Sequence, residues 1–280
     1  MSWQGDKQVP NTGISAGPSA VAYHNKLYVF HQGTLNKGDL WYNVFDGSKW
    51  EGDAHVSNTG ISISPSAVVF QNKIYVFHQG TENSGSLWYN VFDGSKWLGD
   101  KNVPNTGISA SPSAVVYNNK IYVFHQGTEN SGSLWYNVFD GSKWHGDKHV
   151  ANTGMSSSPS AVVYNNRIFC LHQGTNDAGQ MWYNVFDGSD WSGDSHVPNT
   201  GMSIAPSAVA HNGQVYSFHQ GSSYCGQLWY NSFDGSRWHG DAQVPNTGIS
   251  SHPSAVVYKG RVYCFHHGTN NNSQLWYNVL

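Results

Sequence analysis

The sequence predicts an all-β fold, a six-bladed β-propeller of four-stranded antiparallel blades. Three observations carry that prediction. Trp41, Trp88, Trp135, Trp182, Trp229 and Trp276 stand 47 residues apart, with no insertion or deletion between them. A second series, Trp3, Trp50, Trp97, Trp144, Trp191 and Trp238, and a third, His31, His78, His125, His172, His219 and His266, keep the same period. The two ends of the chain are out of phase by one strand, so each completes the other. A period of this length marks a supersecondary unit that cannot bury its faces alone and must stack on copies of itself.

Each unit reads as four strands, A to D. In residues 112–150, Pro112 to Tyr117 is strand A, Lys120 to Gln126 strand B, Leu134 to Phe139 strand C, and Lys143-Trp144 onward strand D, ending near Val150. Asn118-Asn119 and Asp140-Gly141-Ser142 are tight turns, built from residues that tolerate positive φ. Gly127 to Ser133 is a longer polar loop, and Asn152-Thr153-Gly154 links to the next unit. Strand residues are β-branched or aromatic. Strand A carries small residues, which suits the crowded axis. Strands B and C are apolar on both faces, as expected when each face packs on a neighbouring blade.

The chain opens on Trp3, Gly5 and Asp6, which belong to a strand D, and closes on Leu275 to Leu280, which is a strand C. Residues 1–280 are therefore expected to form one domain in which residues 1–10 complete the last blade. Such closure removes two exposed sheet edges, where a linear solenoid would need capping repeats.

Composition narrows the function. Apolar residues make up 38%, charged residues 11%, and the net charge is −3, with no basic run. Nucleic acid is not expected as a partner, because phosphate neutralisation needs clustered Lys and Arg. No apolar stretch approaches the roughly 20 residues of a membrane span. Met1-Ser2-Trp3 leads directly into the repeat, so no signal peptide is visible, and a cytoplasmic location or leaderless secretion is expected. Cys170 and Cys264 hold equivalent positions two repeats apart, too far to bridge, and with Cys225 read as free thiols.

Topology places the B–C loop and the D–A link on one face of the disc and the short A–B and C–D turns on the other. Longer polar loops over a rigid scaffold are where function collects. That face also receives the end of strand B and the start of strand C. The candidate ligand groups are therefore the indoles of the Trp41 series; the imidazoles of the His31 series; Gln32, Gln79, Gln126 and Gln173; Asn43, Asn90, Asn137 and Asn184; and, from the links, Asn11, Asn58, Asn105 and Asn152. An indole can stack on the C–H face of a sugar while amides and imidazole pair with hydroxyls. The same residues also have an architectural reading. The indoles would then be blade-to-blade packing, the imidazoles would hold neighbouring backbone, and Asn-Thr-Gly would be only a turn. Asp6, Asp53 and their equivalents read as turn caps.

Catalysis finds little support. The sialidase architecture also has six blades but needs three convergent arginines, and Arg167, Arg237 and Arg261 instead stand where other repeats carry surface Lys or Gln. Phe-Asp-Gly-Ser-Lys-Trp resembles the sialidase Asp-box with the wrong Asp-Gly spacing. Unshared acids for a glycosidase pair fall in loops or turns, and there is no nucleophile elbow, metal cluster or calcium loop. Near-perfect repetition suits binding better than a single reaction centre. No metal or cofactor is expected.

Taken together, Ser-Pro-Ser-Ala-Val-Val-Tyr, Ile-Tyr-Val-Phe-His-Gln-Gly-Thr and Leu-Trp-Tyr-Asn-x-Phe-Asp-Gly-x-x-Trp resemble the blade repeats of propeller lectins, the seven-bladed Photorhabdus-type and six-bladed Aleuria-type families. The resemblance covers the whole chain at the level of repeat architecture. It implies a multivalent, non-enzymatic lectin whose partners are glycans held between adjacent blades on an aromatic platform. The Aleuria-type pocket uses an Arg and a Glu where this chain has Tyr28, Tyr42 and their repeats, a departure from the fucose pattern. A peptide-binding scaffold over the central channel, a symmetric propeller without a ligand, and a glycosidase-like enzyme remain as alternatives. Residues 211–232 diverge most (His211, Ser217, Ser222 to Cys225, Ser232), and His267 replaces Gln in the last blade. Those two blades are expected to bind differently or not at all. Sugar identity and oligomeric state are not encoded in any pattern found.

Overall fold

A computed structural model describes residues 2–269 and 273–280. They form six four-stranded antiparallel sheets, five of them with their strands in chain order. Blade one is Ser19–Tyr23 (A), Lys26–Gln32 (B), Asp39–Phe45 (C) and Ala54–Gly60 (D), and blades two to five repeat it. Blade six is Ser254–Tyr258, Arg261–His267 and Gln274–Val279, completed by Lys7–Gly13 from the N-terminus. Lys7 lies opposite Tyr277 and Gln8 opposite Trp276. The ring closes as the phase of the ends predicts, although the closing strand runs beyond residue 10.

Strand D differs from its expected position. In blade three it spans Lys148–Gly154, so Asn152-Thr153-Gly154 is strand and not linker. Trp144 makes only an isolated bridge to Phe139. Between them the chain bends through Gly146 at φ +86°. That excursion lets Trp144 reach back to the preceding blade, where it meets Phe77 edge-on at 5.9 Å and Tyr89 at 5.7 Å. The B–C loop contains a single 3-10 turn, Thr128–Asn130 in blade three. The A–B turns have both central residues at positive φ, as at Asn118 (47°) and Asn119 (54°), the hairpin geometry that Asn tolerates.

Strand A is innermost. At the axis the Ser19 hydroxyl accepts the amide N–H of Ala67 in the next blade at 2.9 Å. Ser66, Ser113, Ser160 and Ser207 do the same for Ala114, Ala161, Ala208 and Ala255. Ser254 accepts from Ala20 at 3.0 Å and completes the circle. Outside this ring the interfaces are apolar: Phe30, Leu40, Val56 and Ile61 pack on Ala67, Ile74 and Val76 of blade two. Cys170 and Cys264 are buried free thiols, and burial raises both well above the ordinary thiol range. Among the described residues, no helix is long and apolar enough to cross a membrane.

Two pH windows follow. His252 lines the axial channel where other blades place Gly, Ser or Ala. It is half-buried by surface area, yet desolvation holds its imidazole down, to about 4. The unfolded chain takes up that proton near 6.5, so stability falls as pH drops from about 6.5 to about 4. His252→Ser, which installs the residue of blades two to four, is expected to flatten that window in denaturant titrations. Asp46 and Asp93 are held down, to about 2, by the backbone amides of Lys49 and Lys96 and by the neighbouring serines. Their contribution is present above 3.8 and is lost as pH falls toward 2. A second decline below pH 4, unaffected by His252→Ser, is expected. Separately, Ser113→Ala leaves the Ala161 N–H without its acceptor and is expected to cost about 1–2 kcal/mol in urea unfolding.

Candidate functional site

The structure sorts the sequence-predicted residues by face. Within blade one, His31 is opposite Trp41 and Val29 opposite Asn43. All four side chains therefore share one face, and that face meets the preceding blade. Gln32 and Leu40, one residue out of phase, share the other face and meet the next blade. Gln32 and Trp41 thus do not converge, because adjacent strand positions point to opposite sides.

Three of the predicted groups are buried and hydrogen-bonded within the fold. Asn43, Asn90, Asn137 and Asn184 are fully buried. The Asn43 amide donates to Thr12 of the preceding blade at 2.6 Å, and its oxygen accepts from Val44 and Gly52 N–H groups. Asn90, Asn137 and Asn184 make the same bond to Thr59, Thr106 and Thr153. Gln32 donates to the Ile61 carbonyl at 3.0 Å and accepts from the Ser15 hydroxyl, fastening the outgoing and incoming links. Gln79 and Gln126 do likewise, and Gln173 is equally buried. In blade six His267 turns instead to accept from the Ser273 amide. The imidazoles His31, His78, His125, His172, His219 and His266 are all 0% exposed. A blade packed on both faces leaves strand-B side chains no route to solvent.

The imidazoles act at one remove. Nε2 of His31 lies 3.2 Å from Asp53, and Nε2 of His78 and His125 lies 2.9 Å from Asp100 and Asp147. His172, His219 and His266 pair with Asp194, Asp241 and Asp6. Asp53 is 17% exposed at the side chain. One of its oxygens faces His31, and the other has no protein partner among the described residues. It lines a pocket of about 280 Å³ with Trp41, Gly33, Thr34 and, from the preceding blade, Gly13. The next repeat builds the same pocket, about 270 Å³, from Trp88, Asp100, Gly80, Thr81 and Gly60. Around the closure Trp276, Asp6, Gly268, Thr269, Gly248 and Asn246 enclose about 340 Å³.

Two glycines per pocket are there for space. A Cβ on Gly33 would stand 2.8 Å from the Trp41 indole nitrogen, and one on Gly13 would strike the Thr34 methyl. Asn11, Asn58, Asn105 and Asn152 are exposed on strand D with φ between 52° and 57°. The equivalent Asn246 borders its pocket. Tyr28 and Tyr42 stack at 6.2 Å and pack against Phe92 and Trp97 of the next blade. They belong to the interface core.

The residue that sequence reasoning missed is the aspartate of the Gly-Asp step, read there as a turn cap. A signal existed: His and Asp recur 22 residues apart in every complete repeat, and two polar residues that never vary together can be partners. The arginines sit elsewhere. Arg167 and Arg261 begin strand B and Arg237 lies in a C–D turn, on the face opposite the pockets. Among the described residues, no cluster of three or more metal-ligating side chains exists.

No family model matches the sequence, and no curated protein matches it. Solved structures do share the fold. The Aleuria aurantia lectin, as a mutant in complex with Fucα1-6GlcNAc, is 17% identical with a TM-score of 0.69, covering 96% of this chain and 93% of that one. AofleA from Arthrobotrys oligospora is 13% identical with a TM-score of 0.73, covering 100% and 87%. A mutant of Trypanosoma rangeli sialidase displaying trans-sialidase activity is 13% identical with a TM-score of 0.66, covering 98% of this chain and 57% of that one. The chain thus has the six-bladed architecture of Aleuria-type propeller lectins, which a sialidase propeller also shares.

Gly33→Ala has a φ that alanine accepts (−60°), so its effect is steric. The expected outcome is a displaced Trp41 indole, read as a changed near-ultraviolet circular dichroism and tryptophan emission, with the far-ultraviolet spectrum retained.

Proposed function

We propose that this protein is a multivalent, non-catalytic carbohydrate-binding protein whose sites are the pockets between adjacent blades. The observation that carries this reading is the repeated pairing of an indole with a carboxylate oxygen that no protein group uses, as in Trp41 beside Asp53. A pyranose offers an apolar C–H face and a rim of hydroxyl donors. The indole supplies a flat apolar surface for the first. The carboxylate accepts charge-assisted hydrogen bonds from the second. His31 fixes the carboxylate in place and is a positioning residue, not a contact. Thr34 and Asn11 complete the rim.

The similarity to lectin structures supports the reading, as does the repetition of one pocket around the ring. Single pockets of this size are expected to hold a monosaccharide at about millimolar to tens of micromolar. Clustered glycans would bind far more tightly through effective concentration. The low charge fits a neutral ligand. The Trp41-series and Asn11-series residues remain in the proposed site, and Asp53 and its equivalents join them.

The test is a broad glycan array probed with the intact protein, with the Trp41 series changed to Ala, and with Asp53 and its equivalents changed to Asn. Binding to one coherent class of saccharide is expected, with a loss of at least about tenfold per site in Asp53→Asn, measured by titration calorimetry. Absence of binding to any glycan would overturn the proposal.

A further inference from the structure

The six inter-blade clefts are not equal, and the one between blades four and five departs furthest in its loop. In blades one to four and blade six the loop after strand B begins with threonine, whose methyl lies against the preceding blade's glycine, as Thr81 does against Gly60. Blade five has Ser222 instead. It has no methyl to set against Gly201, and its Cβ stands nearer that glycine, 3.2 Å from a Cβ built there, than the Thr34 and Thr81 Cβ atoms stand to theirs, 3.8 and 3.7 Å. The carboxylate also sits differently. One oxygen of Asp241 takes both His219 and the Gly201 amide, each at 3.2 Å, bridging the two blades, and its other oxygen is buried without a partner among the described residues.

The rim carries the largest departure. Residue 224 has φ +50°, in the left-handed region where Asn and Asp are at home and a bulky aromatic is an outlier. The equivalent positions hold Asn83 at 51°, Asn130 at 51° and Asp177 at 50°. Blade five puts Tyr224 there, 71% exposed. The loop is not loose: the Tyr224 amide donates to the Ser203 hydroxyl at 3.1 Å, and Ser203 is itself bonded to Gln220. Next in sequence, Cys225 lies against Gly221 at the edge of the Trp229 indole. An unfavourable backbone conformation kept for an exposed ring points to a use for that ring.

We infer that the blade-five pocket is a two-ring subsite. The pocket takes one sugar residue, and Tyr224 at its rim stacks on the sugar glycosidically linked to it, so this site prefers a disaccharide where the others read a single ring. The inference rests on the proposed carbohydrate function. A tyrosine ring that is open to solvent, on a backbone held in place, is a preformed platform with little ordering entropy left to lose.

The test compares a panel of monosaccharides with the disaccharides that extend them, α-methyl-L-fucoside and Fucα1-6GlcNAc included, on the wild type, Tyr224→Asn and Ser222→Thr. Tyr224→Asn installs the residue other blades use at that φ, so the fold is not at risk. Site-resolved occupancy comes from soaked crystals and affinity from calorimetry. The expected result is a disaccharide preference of about three- to tenfold confined to the blade-five site. That preference falls toward one in Tyr224→Asn and is kept in Ser222→Thr, which restores the threonine of the other blades. Sugar binding with the same disaccharide ratio in wild type and Tyr224→Asn would overturn this inference and leave the proposed function standing. No binding by any saccharide of the panel would overturn both.

Discussion

Every blade of this protein depends on its neighbour through one hydrogen bond at the axis. A serine hydroxyl on each innermost strand accepts the amide N–H of the alanine one blade onward, and six such bonds return to their origin. A buried edge amide left unpaired is costly, and the innermost strand of an isolated blade has such amides with no further strand to take them. The serine supplies the acceptor, is small enough for the crowded centre, and fixes the height of each blade against the next. The outer clasp from Asn43 to Thr12, and its repeats, works at the other end of the same interface. Between these two polar rows lies the apolar and aromatic packing.

This arrangement explains why so many polar residues that look available are not. Asparagine and histidine recur in every blade, and glutamine in five of the six, because each interface needs the same fasteners. They are buried because both faces of a blade are covered. The polar groups that serve no such fastener sit where the interface opens at the loop end. There a carboxylate is held by a buried imidazole and an indole is seated on glycine. The ring can be nearly symmetric while its rims differ, since the fasteners lie deeper than the loop tips.

Much of the fold was legible in the sequence. The 47-residue period, the four strands, the paired-asparagine turns and the completion of blade six by Lys7–Gly13 all follow from spacing and residue type. Strand D was misplaced by several residues, because Trp144 looks like a strand residue and is one only as an isolated bridge. Its indole belongs to the neighbouring blade, and no local pattern encodes a partner reached by an excursion at Gly146. The candidate site was legible in part: Trp41, Trp88 and Trp276 line pockets between blades. The pairing of Asp53 with His31 was passed over because a Gly-Asp step is also what a simple turn requires.

The sequence alone determined the number of blades and the way the ring closes, because a strict repeat transmits each choice to all six units. Only the tertiary structure decided what each polar residue is for. His31 and Gln32 are adjacent in the chain and serve opposite interfaces, since successive strand residues point to opposite faces. Gly13 and Trp41, far apart in sequence and on different sheets, wall one pocket, since a site between blades exists only once two blades are packed together.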